Sequence, residues 1–408
     1  MIYVAIMGHG TVGSGVAEIM INHNPLVAEK VRDKIEVKYI LELRDFSSLP
    51  YAEKFTDDFE KIVNDPEVKI VAEVMGGIHP AYEFVKRCLE AKKSVVTSNK
   101  ELVAMKGAEL LKIASENSVN FLFEASVGGG IPILRPMAQC LAANDINSVT
   151  GILNGTTNYV LNKMIVDDMS FDTALALAQE KGFAEKDPTA DIEGHDTCRK
   201  ICILASLAFG KHVYPEQVKT EGITNVTLED VAYAQKLGCA IKLIARAKKL
   251  PGGHITAEVA PMLVSNSNML SHVNGVFNAI MVHGDATGDV MFYGKGAGKM
   301  PTASAVVADI IDCAKHLHAR KYFDWQEGEE GYVVPDTSKK RFFVLIKSLD
   351  FEAMSKSFNA VFPDNTWNIK NEFSGEIAFI TDEDFEVEIS KKLDKIKYES
   401  IKTMKMLF

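Results

Sequence analysis

Asp196 and Lys200 lie four residues apart, just ahead of Ile201–Phe209, a run that is apolar almost all round. That spacing puts them on one face of a helix. A helix apolar on every side is buried, so its charged head must be paired or must line a cavity. Glu185 and Asp191 follow closely upstream. A lysine among carboxylates can move a proton once its neighbours or desolvation tune its pKa. In isolation an Asp–Lys helix pair is a solvated salt bridge of about 0.3–0.5 kcal/mol; the apolar run behind it favours a site. Cys198 and Cys202 share the same spacing, but no acidic or histidine partner completes a ligand pattern, and they read as core packing.

A second chemistry sits at the N-terminus. Ile2–Met7 is an apolar strand, followed by Gly8-His9-Gly10-Thr11-Val12-Gly13 and a helix. This is G-x-G-x-x-G in the context that binds a dinucleotide. Gly8 permits the tight turn, Gly10 lets the backbone approach a pyrophosphate, and Gly13 lets helix and strand pack closely. The helix N-terminus offers free N–H groups to phosphate. Further strands are expected at Val37–Leu43, Ile70–Met75, Ser94–Thr97 and Val119–Phe123, alternating with helices. Such alternation implies right-handed crossovers and a parallel, Rossmann-like sheet with ligand at the strands' carboxyl ends. Gly8–Gly13, Met75-Gly76-Gly77 and Thr97–Lys100 then face one crevice. After the second strand, Arg44 favours the extra phosphate of NADP over NAD. The alternative is an Arg44–Asp45 surface pair.

Composition bounds the class. A chain of 408 residues holds two or three domains. Its net charge of -10 argues against nucleic acid or anionic membrane as partner. No apolar run reaches the ~18–20 residues of a membrane span. The six cysteines are scattered, without C-x-x-C, and read as reduced thiols of a cytoplasmic protein.

From about residue 145 the pattern changes to an α+β domain. Ile146–Leu153 reads as a strand ending in the polar turn Asn154–Asn158, and Phe171–Lys181 as a helix. Ala240–Ala247 and Ile255–Val264, joined through Pro251-Gly252-Gly253, suggest an antiparallel sheet. A helix over Thr302–His318 returns to the first domain. The expected division is 1–135, completed by about 301–320, for the dinucleotide; 136–300 for substrate and dimerisation; 321–340 as a charged linker; and 341–408 as a separate unit. That tail reads strand, helix, strand, strand, helix, strand, the β-α-β-β-α-β order of an ACT-like domain. The turn after its first strand, Lys347–Phe351, lacks Pro and Gly, so binding of an amino acid there and a role in dimerisation are both open.

Several motifs together resemble homoserine dehydrogenase: the glycine turn, Glu73–Gly77, Thr97–Lys100, Glu124–Pro132, Asn154–Tyr159, Glu185–Lys200, Gly294–Gly298 and Pro301–Val306. The resemblance spans roughly residues 1–320. It implies reversible NAD(P)H-dependent reduction of L-aspartate 4-semialdehyde to L-homoserine, in threonine, methionine and isoleucine biosynthesis. It implies Lys200 as proton donor and Lys100 where nicotinamide and substrate meet, each depressing the other's pKa if they converge. Glu185 and Asp196 would hold the substrate, with Asp191 supporting. Gly8, Gly10, Thr11, Val12, Gly13, Arg44, Thr97, Lys100, Gly182 and Gly298 would bind cofactor. Glu124, through its side chain, and Val127, Gly129 and Ile131, through their carbonyls, would hold a monovalent cation, sodium, bracing the interdomain hinge; the alternative there is a plain glycine loop. A homodimer or homotetramer is expected, with an allosteric amino acid at the tail. Two other readings stand beside this one. A thiol-dependent aldehyde dehydrogenase needs an activated cysteine at a polar loop, which is missing. A non-catalytic amino-acid sensor on a vestigial dehydrogenase fold would not need Lys100, Glu185, Asp196 and Lys200.

Overall fold

The computed structural model of the chain describes residues 1–317, 319–321 and 323–407. His318, the expected end of the returning helix, lies outside them. The apolar strands near the N-terminus form a six-stranded sheet. Its order is Phe55–Thr56, Ile35–Leu41, Ile2–Met7, Val68–Glu73, Ser94–Thr97, Phe121–Leu122, and every pairing is parallel. Runs such as Ile70-Val71-Ala72 are buried throughout, as they must be when helices cover both faces. Strand order reverses beside Ile2–Met7, so the crevice opens at that strand's carboxyl end. The returning helix, Lys299–Lys315, starts three residues earlier than its pattern suggested. It lies so close to Thr11–Asn22 that a Cβ on Gly15 would come within 2.9 Å of Ala303.

The second sheet has ten strands. Its path runs Gly288–Lys295, Phe277–Gly284, Ile146–Ile152, Cys239–Lys249, Ile255–Ser265, Ser400–Leu407, Phe342–Lys347, Glu376–Ile380, Asn368–Asn371, with Lys219–Thr220 beside Ile255–Ser265. The sequence pattern does not announce the Phe277–Lys295 hairpin or the short strands Phe55–Thr56 and Lys219–Thr220. The tail's elements match their sequence pattern, and its four strands take the order fourth, first, third, second of a split β-α-β fold. Yet the tail does not stand apart. Its last strand pairs in parallel with Ile255–Ser265, Leu263 opposite Met406. Along Phe342–Lys347, Phe342, Val344 and Ile346 face the tail's own core, whereas Phe343 and Leu345 join the main core. Period-two alternation thus serves two cores at once.

Lys321 and residues 323–340 are irregular, as their charge suggested, but they are not a loose linker. Phe323, Trp325 and Tyr332 are all buried. The Trp325 indole donates to His212 Nδ1 at 2.9 Å, and His212 Nε2 lies 2.8 Å from the Ala104 carbonyl. The segment thereby bridges the helix Lys100–Glu116 and the chain that follows the helix His195–Phe209. Among the described residues no helix is long and apolar enough to cross a membrane.

Candidate functional site

Three elements deliver the charged cluster. Gly194, at φ +81°, turns the chain into the helix His195–Phe209. The strand Ile146–Ile152 ends beside it, followed by Leu153 and Asn154. Lys100 opens the helix Lys100–Glu116, whose start is capped by Asn99 Oδ1 accepting the Leu102 N–H at 3.0 Å. Lys200 Nζ donates to Asp196 Oδ2 at 2.7 Å and to the Leu153 carbonyl at 2.8 Å. Lys100 Nζ lies 2.5 Å from Asp196 Oδ1. Asn154 Nδ2 donates to Asp196 Oδ2 at 2.9 Å and to Asp191 Oδ1 at 2.6 Å. One buried carboxylate therefore joins two ammonium groups from two helices far apart in the sequence.

The electrostatics follow from burial and charge. Burial alone would raise the Asp196 carboxyl, but the Lys200 and Lys100 charges reverse this and hold it well below the usual range. Burial, reinforced by Lys100 against the pull of Asp196, lowers the Lys200 ammonium. Lys100 differs from expectation: the Asp196 charge outweighs its desolvation and raises it. Mutual depression of the lysines therefore acts on Lys200 only. Burial, then repulsion by Asp196, raises Asp191. Glu185 is not drawn into the cluster. Its residue is exposed, and among the described residues its carboxylate makes no hydrogen bond; only its carbonyl accepts, from Gln179 Nε2 at 3.0 Å. Gly182, at φ +71°, sits in the same exposed turn. Asn154 belongs to the cluster, although its place in the polar turn Asn154–Asn158 does not by itself assign it there. Its signal was an asparagine heading a helix, where its Oδ1 accepts the Thr157 N–H at 2.8 Å.

The three glycines of the N-terminal turn differ in conformation and surroundings. Gly8 takes φ +100°. A Cβ on Gly13 would meet the Gly8 carbonyl oxygen at 2.1 Å, whereas one on Gly10 would meet nothing within 4 Å. The space over Gly10 opens into a cleft of about 700 Å³ walled by His9, Thr11, Arg44, Tyr51 and Lys299. Val12 follows Thr11 in the helix, and Gly298, at φ +125°, precedes Lys299 at the head of the returning helix. Thr97 is buried, and its hydroxyl donates to Glu73 Oε2 at 2.6 Å. Glu73 Oε1 accepts the N–H groups of Met75 and Gly76 at 2.8 and 3.3 Å, so a buried carboxyl, raised by desolvation, ties together two loops of the crevice. Arg44 does not pair with Asp45, which instead accepts the Ser47 N–H at 2.8 Å. Arg44 Nη2 lies 2.8 Å from Glu42 Oε2. Glu42 also accepts the His9 N–H at 3.0 Å, and the Arg44 hydrogen bond, against burial, holds its carboxyl at about 2.

The buried Glu124 caps the helix Leu134–Gln139. Its Oε1 accepts the N–H groups of Ile133 and Leu134 at 2.6 and 2.9 Å, and Oε2 that of Arg135 at 2.7 Å. Gly128 and Gly129 take φ +74° and +54°, and the Ile131 N–H donates to the Gly128 carbonyl at 2.8 Å, closing a turn between Glu124 and the helix it caps.

The comparisons agree with this layout. A family model described as homoserine dehydrogenase matches residues 132–311, and one described as the homoserine dehydrogenase NAD binding domain matches residues 8–124. The homoserine dehydrogenase of Synechocystis sp. is 46% identical over 316 residues, covering 76% of this chain and 72% of that protein. The crystal structure of a homoserine dehydrogenase from Thiobacillus denitrificans superposes with a TM-score of 0.89 at 32% identity, covering 100% of this chain and 98% of that one. A hyperthermophilic archaeal homoserine dehydrogenase in complex with NADPH gives a TM-score of 0.64 at 30% identity, covering 76% of this chain and 97% of that one.

Proposed function

The chain belongs to the homoserine dehydrogenase family, an NAD(P)-dependent oxidoreductase, and from that premise we propose that Lys100, Asp196 and Lys200 carry its chemistry. One observation supports this most: the buried Asp196 carboxylate 2.5 Å from Lys100 and 2.7 Å from Lys200. When bound, the nicotinamide supplies the hydride that reduces the aldehyde carbon. Lys200, a buried ammonium already lowered by its surroundings, gives its Nζ proton to the aldehyde oxygen, and the Leu153 carbonyl and Asp196 fix its direction. Asp196 takes the substrate ammonium in exchange for Lys100, and Asn154 keeps Asp191 beside it as support. Glu185 completes the ammonium site once its exposed turn, with Gly182, folds over the crevice.

The cofactor's pyrophosphate would lie over Gly10, against the helix start at Thr11 and Val12, with Gly8 and Gly13 shaping the turn, Thr97 bracing the neighbouring Met75–Gly76 loop through Glu73, and Gly298 facing it. The open space above Gly10 is the fit expected of that role. NADP is the preferred form: Arg44 stands at the cleft, and Glu42, the acidic group that would take a ribose hydroxyl, is engaged by Arg44 and His9. A sodium ion would be held by the Glu124 carboxylate, whose Oε2 accepts one N–H among the described residues, together with the carbonyls of Val127, Gly129 and Ile131. These are hard oxygen donors without a soft ligand.

The units would be residues 1–135 with 301–320, 136–300 and 341–408, the last joined to the second by pairing of Ser400–Leu407 with Ile255–Ser265. Two copies would join through the outer sheet face where Met281 and Met291 are only half-buried, giving a homodimer or a homotetramer. The ACT-like tail would bind an amino acid such as threonine, provided that ligand favours one of two states. Following reduced-cofactor absorbance with aspartate semialdehyde tests the site: Lys200→Ala should lower turnover about 100-fold or more with cofactor affinity intact. A fall of less than about threefold would reduce Lys200 to a salt-bridge partner. Arg44→Ala should weaken NADP more than NAD, and equal effects would remove its phosphate role.

A further inference from the structure

The Lys100–Asp196 contact is not the only bond across the seam between the two helix starts. Arg199 Nη2 lies 2.9 Å from Glu101 Oε1, joining the next residue of one helix to a residue one turn along the other. Both side chains are about one-third exposed, at 28% and 32%. Exposed ion pairs contribute little to stability, so this pair's value must be sought elsewhere. Its polarity is the clue. Along Lys100-Glu101 the charges run plus, minus; across the seam Asp196 and Arg199 answer minus, plus. A one-residue slip in one direction brings Glu101 to Asp196, and a slip in the other brings Lys100 to Arg199; each of these encounters is repulsive. The correct register is the only attractive one, which is specificity gained by penalising the alternatives.

We propose that Glu101 and Arg199 are positioning residues that hold the two domains in the one register where Lys100 and Lys200 share Asp196. The pair touches neither the reacting atoms nor the cofactor turn. It acts through Lys100: Glu101 directs the helix start, and Arg199 stands close enough to oppose the Lys100 charge. Other groups facing Lys100 and Lys200 are Asp196, Asp191 and Asn154, and none of them is altered by changing the pair.

This rests on the reading of Lys100, Asp196 and Lys200 as the reactive cluster. The test is a charge exchange in the full-length protein. Glu101→Arg alone and Arg199→Glu alone should each lower kcat about tenfold or more, because each places like charges across the seam. Thermal midpoint and NADPH affinity should stay close to those of the parent. The double variant E101R/R199E restores opposite charges and should recover kcat to within about threefold of the parent. A purely structural pair would move the thermal midpoint with kcat. The proposal is overturned if either single variant keeps kcat within twofold, or if the double variant is as slow as the singles. Lys200→Ala, assayed alongside, separates the two levels: an active Lys200→Ala removes the cluster reading itself, whereas an inactive one beside fully active single variants removes only the positioning role.

Discussion

Replacing Asp196 with asparagine probes the cluster at its centre. The side chain keeps its size and loses its charge. Two ammonium groups, now 2.5 and 2.7 Å from one carboxylate, would face each other without a counter-charge. Removing one partner of a fully buried pair costs roughly 3–5 kcal/mol. Lys100 reaches solvent, its side chain being 41% exposed, which reduces its share through screening. Lys200 can also release its proton, since burial already lowers it. The expected loss at pH 7 is therefore about 2–3 kcal/mol. Its pH dependence has a definite sign. The folded Asp196 is depressed, so its stabilisation is complete above the unfolded value of about 3.9 and fades as pH falls below it toward the folded value. The gap between parent and variant in urea unfolding should be widest near pH 7 and should narrow below about pH 4. Turnover should fall at least 100-fold. A variant as stable as the parent at pH 7, or one with turnover within threefold, would show that Asp196 does not hold the lysines.

Three further outcomes are expected. Because Lys200 is lowered from the ordinary lysine value, reduction of the semialdehyde should fall as pH rises through its pKa, and homoserine oxidation should rise through the same value; parallel profiles in the two directions would exclude Lys200 as the shared group. Gly13→Ala should disrupt the first domain, since its Cβ would stand 2.1 Å from the Gly8 oxygen, while Gly10→Ala should fold normally and lose cofactor affinity; fluorescence titration with NADPH and thermal melting distinguish them, and a poorly folded Gly10→Ala would contradict the open space above it. Trp325→Ala should cost about 3–5 kcal/mol in chemical unfolding, because the indole is buried and bonded to His212; a cost below about 1 kcal/mol would restore the view of residues 321–340 as a linker.

What the sequence determined by itself is local in origin. The alternation of apolar strands and helices in the first third, the glycine turn and the tail's β-α-β-β-α-β order all follow from backbone preferences and short-range pattern, and they stand within a few residues of their expected places. Asp196 and Lys200 were legible as a pair because one helical turn fixes their separation. The remainder depended on contacts between distant segments. No spacing reveals that Lys100 and Lys200 meet at Asp196, because they belong to helices from different sheets. Nor does spacing reveal that Arg44 turns from Asp45 to Glu42, where the carboxylate is also bound by His9. Composition marked residues 321–340 as polar and hid the three aromatics that insert into the core. The tail's last strand could have been an edge; pairing with Ile255–Ser265 satisfies its backbone groups and buries Met404 and Met406 against the main core. These choices were made by burial and hydrogen bonding across the fold, which a one-dimensional pattern does not contain.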